Sequence, residues 1–231
     1  MRLKLFTMLA VMVVGSAQAG LVHSYDFSSG VTDLTGTENA TLVGGATVGG
    51  GVLSVDGVSG YAQFGSHIIP TTGSYSVVLD FRLAGAQSGI HELISQGASG
   101  GPGFYIGSSN SSDFRVTDSW GNSGIAFPTD TRWHQAALIV DATGNRTEFY
   151  LDGSFAGSLG QAITTTALGS DTRLGVQFNS SGEYFAGDID NVRIYDSAIG
   201  SNQLADAPEP SSALLVALGA GLVAVARRRK A

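Results

Sequence analysis

The chain has no cysteine in 231 residues, which removes disulfide staples, thiolate nucleophiles and zinc–thiolate sites together. Proline is sparse, at five residues, and lysine sparser still, with Lys4 and Lys230 both in the terminal segments. Between residues 20 and 207 the only formal cations are six arginines, set against 18 carboxylates, for a charge of −12. Such a body repels a phosphodiester backbone, so nucleic-acid binding is excluded. Calcium, neutral glycans or cationic partners suit that charge better. The body also lacks any sustained 3.6-residue period, so helix is expected only in short turns. What it has is glycine, 33 residues of it, with Ser, Thr and Asn between short apolar runs. That punctuation predicts many short strands joined by tight turns.

The two ends read as addresses. Arg2 and Lys4 precede an apolar stretch from Leu5 to Val14, and Ala17-Gln18-Ala19 follows. This order is that of a secretory signal peptide over residues 1–19, with cleavage before Gly20. The apolar run is short of the ~20 residues that span a bilayer. At the other end Pro208-Glu209-Pro210 precedes an apolar stretch, 211–226, and then Arg227, Arg228, Arg229 and Lys230. The prolines keep the backbone extended and open to a protease. The apolar stretch inserts transiently as a transmembrane helix, and the basic cluster halts translocation on the cytoplasmic side. These three parts in this order resemble the PEP-CTERM sorting signal. The resemblance implies an exosortase-type processing enzyme as partner. It also implies delivery to the cell envelope, the cell surface or an extracellular polymer matrix. A plain single-span anchor is the alternative.

Between the ends, alternation predicts strands over 21–28, 52–58, 60–65, 75–84, 90–96, 103–108, 113–119, 132–141, 146–152, 172–178 and 184–195. The clearest hairpin joins Arg132–Asp141 to Arg146–Asp152 through Ala142-Thr143-Gly144-Asn145, whose last two residues tolerate positive φ. In its second strand Thr147, Phe149 and Leu151 face one way and Glu148, Tyr150 and Asp152 the other. Many short strands at regular spacing favour an all-β sandwich.

Trp133-His134, Tyr150-Leu151-Asp152-Gly153 and Gly187-Asp188-Ile189-Asp190-Asn191-Val192-Arg193-Ile194-Tyr195 occur in that order. So arranged, they resemble the laminin-G-like, concanavalin A-like superfamily over roughly residues 21–200. The resemblance implies a two-sheet antiparallel jelly-roll domain over 20–200, a linker over 201–207 and the sorting signal over 208–231. It also implies one structural calcium ion between the first and last strands. Asp26 and Asp190 are the matching ligands, and Asp188 and Asp33 are further candidates. A solvated acidic surface is the competing reading of the same residues.

Glycosidases of this fold are similar to one another in a Glu-x-Asp-x-x-Glu strand. Glu38, Glu92, Glu148 and Glu183 are far apart in the chain and match no such pattern, so no catalytic residue is assigned. His23, His67, His91 and His134 are scattered and none has zinc-ligand spacing. Among Trp120, Phe127, Tyr105 and Tyr184, Trp120 in the polar loop Asp118–Gly124 is the expected ligand-binding aromatic, beside Asp118 and Asn122. A ring folded over the sandwich edge is the alternative. The expected function is a non-catalytic surface or matrix module that binds a glycan, an exopolysaccharide or a protein. A polysaccharide-degrading or -modifying enzyme and a matrix filler without specific ligand are the rivals.

Overall fold

The computed structural model describes residues 20–97, 103–163, 171–178 and 182–204. The expected signal peptide (1–19), Pro208, Glu209, Pro210 and the apolar stretch 211–226 lie outside the described residues. The described chain is all-β, with two antiparallel sheets packed face to face. Its strands are β1 (Leu21–Tyr25), β2 (Ala40–Val43), β3 (Thr47–Gly49), β4 (Val52–Asp56), β5 (Tyr61–Phe64), β6 (Tyr75–Leu83) and β7 (His91–Gly97). There follow β8 (Gly103–Ser108), β9 (Phe114–Val116), β10 (His134–Asp141), β11 (Arg146–Leu151), β12 (Ser154–Leu159), β13 (Asp171–Leu174) and β14 (Ala186–Tyr195). Among the described residues the single helical element is a 3₁₀ turn, Ser201–Gln203. The larger sheet runs β12-β11-β10-β6-β14-β4-β3, with β1 also on β14, and the smaller runs β2-β5-β13-β7-β8-β9.

Most expected strands are present; β2, β3 and β12 were not anticipated. Their short, Gly-bordered sequences carry little alternation, and they form because a neighbouring edge offers unpaired backbone groups. The strand expected over 172–178 stops at Leu174, where Gly175 takes a φ of +88°. The alternation expected for β11 holds. Thr147 and Phe149 are buried beneath the larger sheet, while Tyr150 lies on its outer face against Val78, Ala137, Ile139 and Tyr195. Asp152 and Gly153 both have positive φ and close the two-residue turn between Leu151 and Ser154, as the twist of a hairpin requires.

The core fills the gap between the sheets. Tyr75 meets Phe104, Phe81 meets Phe114, and Phe114 meets Phe149 at ring-centroid distances of 6.2, 6.3 and 4.7 Å. Each pair joins one sheet to the other, by tilted or edge contacts that aromatic quadrupoles favour. The Trp133-His134 and Tyr-x-Asp-Gly segments meet here too. His134 Nδ1 lies 3.0 Å from Asp152 Oδ2, and Asp152 Oδ1 accepts the Gln135 N–H. Beyond β14 the chain doubles back, and Ile199 and Leu204 cover part of the larger sheet's outer face.

Asp33 organises the loop after β1. Its buried carboxylate accepts the N–H groups of Ser24, Thr35 and Glu38 at 3.1, 3.2 and 3.3 Å and lies 2.7 Å from His23 Nδ1. Burial opposes its ionisation, yet these bonds outweigh burial and hold the carboxyl well below the usual range. Asp33→Ala would leave three N–H groups unpaired, and chemical denaturation should show a loss of about 2–4 kcal/mol. Because the folded pKa is depressed, the difference between variant and parent should shrink as pH falls through the carboxylate range.

Candidate functional site

Strand register brings the predicted metal residues together. In β14, Ile189, Val192 and Ile194 point into the core, so Asp188 and Asp190 face outward. Asp190 sits opposite Asp80 of β6, and the ladder then slips before Arg193 pairs with Val78. Asn191 occupies the bulge with a φ of +48°, a conformation Asn tolerates better than most residues. At this point β14 also changes its other partner, from β4 (ending at Ile189) to β1 (beginning at Val192). Asp26 directly follows Tyr25, the β1 residue paired with Val192. Asp26, Asp80 and Asp190 therefore gather where three strands meet.

Asp80 is occupied by amides: its Oδ1 accepts Gln135 Nε2 at 3.1 Å and its Oδ2 accepts Asn191 Nδ2 at 2.8 Å. Asp190 Oδ1 accepts the Asn191 N–H at 2.7 Å, and Asp26 Oδ1 accepts the Ser28 N–H and hydroxyl. Asp190 is 5% exposed. Burial, reinforced by the charges of Asp80 and Asp26, pushes its pKa up to about 7 against the Asn191 N–H. Burial raises Asp80 as well, outweighing its amide donors and the charge of Arg193. Arg193 does not neutralise the group by contact, since its Nε and Nη2 are buried without hydrogen-bond partners.

Hard oxygen donors around a buried negative charge are the chemistry calcium takes. Among the described residues no set of three or more His, Asp or Glu side chains is placed to hold a metal ion. An ion between Asp26 and Asp190 would thus need backbone oxygen or water to fill its shell. Asp33 and Asp188 lie elsewhere. Asp33 is engaged in the β1 loop, and Asp188 accepts Arg82 Nε at 2.7 Å and the Ser54 hydroxyl.

Trp120 is not an exposed stacking face. It is 9% exposed and belongs to the core. The turn beginning at Thr117, whose φ is +60°, folds the ring inward, and its Cζ2 packs over Gly157 of β12. Tyr105 and Phe127 are buried too. Of the four aromatics singled out, Tyr184 alone stays half-exposed, and it has a partner that sequence reading did not pair with it. Tyr61 and Gln63 point outward from β5, because Ala62 and Phe64 face the core. The Tyr61 and Tyr184 rings lie 6.5 Å apart with a 49° tilt. The Arg173 guanidinium sits 5.0 Å from the Tyr61 ring. Gln63 Nε2 and Arg173 both donate to Asp171. The segment "GYAQFG" signals the outward placement of Tyr61 and Gln63, but Arg173 and Tyr184 join them only across β13 and the loop before β14.

The smaller sheet also unites two glutamates. Arg115, whose guanidinium lies 4.0 Å over the Tyr105 ring, donates from Nη1 to Glu92 Oε1 at 2.8 Å and Glu183 Oε2 at 3.2 Å. Glu92 is wholly buried, and desolvation pushes its pKa well above the carboxylate range despite Arg115. A second carboxylate beside a proton-holding one is the pattern of acid–base chemistry. Glu92, however, has no exposed surface in this structure.

Residues 56–205 match the concanavalin A-like lectin/glucanases superfamily, in its Laminin_G_3 profile, and residues 206–230 match the PEP-CTERM protein-sorting motif. The first match covers about two thirds of the chain. Domain 4 of AbnA, a GH43 extracellular arabinanase from Geobacillus stearothermophilus, solved with arabinotriose, superposes with a TM-score of 0.66 at 20% identity. The overlap covers 81% of this chain and 98% of that one. A Trypanosoma rangeli sialidase complex superposes at 0.58 and 16% identity, over 79% of this chain but 31% of its own. The binding domain of Paraclostridial Mosquitocidal Protein 1 superposes at 0.59 and 14% identity, over 79% of this chain and 50% of its own. At these identities the likeness is one of fold. No curated protein matches the chain in sequence.

The raised pKa of Asp190 predicts a pH dependence of stability with a definite sign. Its folded pKa, about 7, lies above the ordinary 3.8, so between those values the folded state keeps a proton that the unfolded chain has released. In chelator, stability should fall as pH rises from 4 to 7 and level off above, by on the order of 2 kcal/mol or roughly 4–8 °C. Asp190→Asn should flatten that part of the melting-temperature profile.

Proposed function

We propose that this chain, which belongs to the concanavalin A-like lectin/glucanases superfamily and ends in a PEP-CTERM sorting motif, binds a glycan without cleaving it. The sorting motif implies export and association with the cell envelope or surface, with an exosortase-type system as the processing partner. Transient anchoring through 211–226 is part of this proposal. The observation that carries the binding reading is the half-exposed Tyr61–Tyr184 pair, with Gln63 and Arg173 beside it on the outer face of the smaller sheet. Aromatic faces stack on the C–H surface of a sugar ring, while planar amide and guanidinium groups exchange hydrogen bonds with hydroxyls. The arabinotriose bound to AbnA domain 4 supports this reading by analogy of fold.

A catalytic reading has the Glu92–Glu183 pair in its favour, and the complete burial of Glu92 against it. Titration with oligosaccharides from the host's own exopolysaccharide decides between them. Tyr61→Ala and Tyr184→Ala should each weaken binding about tenfold, near 1.4 kcal/mol. No reducing ends should appear on long incubation. Reducing ends that vanish in Glu183→Gln would establish the enzyme, and full binding by both tyrosine variants would remove the site.

The same proposal includes one structural calcium ion held by Asp26 and Asp190, whose ionised carboxylates it would neutralise. Millimolar calcium should raise the melting temperature by several degrees at pH 7, as a ligand specific to the folded state does. It should also abolish the pH-dependent fall described above. Asp190→Asn should lose the response. A parent protein indifferent to both calcium and chelator would rule out a tightly bound ion.

A further inference from the structure

Gly20 directly follows Ala17-Gln18-Ala19 and leads into β1. Its carbonyl accepts the Asp196 N–H at 3.0 Å, a bond that extends the β1–β14 ladder. Where a side chain would project from Gly20 there is instead the Asp196 carboxylate. A Cβ at that position would lie 2.7 Å from Oδ1 and 3.1 Å from Oδ2. Covalent geometry puts the α-nitrogen about 2.5 Å from that Cβ position, and so within about 5 Å of the carboxylate. The one hydrogen bond Asp196 receives at its carboxylate from a described residue is a long one, 3.5 Å from Ser197 Oγ.

We propose that removal of the leader before Gly20 creates the cation this carboxylate lacks, and that the new α-ammonium pairs with Asp196 to fasten β1 onto the end of β14. In the cleavage, water adds across the Ala19–Gly20 amide. The leader departs with the oxygen as a carboxylate, and Gly20 keeps the protons as an ammonium. In the precursor the same nitrogen is an uncharged amide and the Ala19 carbonyl oxygen stands one atom away, so the ion pair exists only after processing. Glycine is the residue that suits the position, since any side chain would displace the partner carboxylate. The consequence reaches beyond the terminus. Among the described residues β1 pairs with β14 alone; it places Tyr25 in the core and delivers Asp26 to the acidic group at the bulge. The inference rests on the leader reading of residues 1–19 and is independent of the glycan reading.

The test uses the full chain, exported through its own leader and recovered from the envelope. Mass spectrometry identifies its first residue. Residues 20–207 contain no lysine, so within that span the terminal amine is the one primary amine, and NMR can titrate it selectively. The expected result is Gly20 at the terminus, with an amine pKa about half a unit above the usual 7.7–8.0. The shift should disappear in Asp196→Asn and shrink at 1 M salt. A terminus at another residue, or the same pKa in parent and Asp196→Asn, would overturn the proposal.

Discussion

A single strand carries the larger sheet. β14 pairs with β6 along one side, while on the other side it serves β4 first and β1 afterwards. The change from β4 to β1 coincides with a break in register on the opposite edge, where the β14–β6 ladder shifts between Asp190 and Arg193. Asn191 absorbs it by turning its backbone to positive φ, which frees its side-chain amide to bind Asp80. The slip also draws the end of β1, and with it Asp26, to the same point. The acidic group is thus a product of how the sheet is closed, and its charge is the cost of that closure. A retained proton relieves part of it, and the proposed calcium ion would relieve it further.

The outer faces of the two sheets have different chemistry. On the larger sheet Asp188 is paired with Arg82, but Asp80 and Asp190 are largely buried beside Arg193, whose Nε and Nη2 form no hydrogen bond, while Ile199 and Leu204 cover part of the apolar remainder. On the smaller sheet the arginines are matched to carboxylates and lie over tyrosines: Arg173 with Asp171 and Tyr61, Arg115 with Glu92, Glu183 and Tyr105. A face of neutralised charge and aromatic rings discriminates by shape and hydrogen bonding more than by long-range field. That character suits the neutral glycan proposed as ligand, on a body whose overall charge repels anions.

The motifs that point to this fold are explained by contacts between them. Trp133-His134 and Tyr150–Gly153 occur together because His134 reaches Asp152 across the β10–β11 pair. The long closing motif is the central strand itself. Trp120 shows the opposite case. Its polar, glycine-rich surroundings predict exposure, yet the turn at Thr117 delivers the ring to the core edge, where it packs beside Gly157. Local composition describes the loop and not the direction in which its one large ring points.

By itself the sequence determined the class of the molecule. Period-two alternation and glycine punctuation specify short strands around an apolar core, because each is a property of neighbouring residues. It also carries the C-terminal sorting motif over 206–230, whose order of extended residues, apolar stretch and basic cluster is read linearly along the chain. Only the tertiary structure decided which residues meet. Tyr61 with Tyr184, Glu92 with Glu183 and Gly20 with Asp196 are separated by between 91 and 176 positions. Their contact depends on strand order and register, which sum interactions over the whole sandwich and leave no local trace.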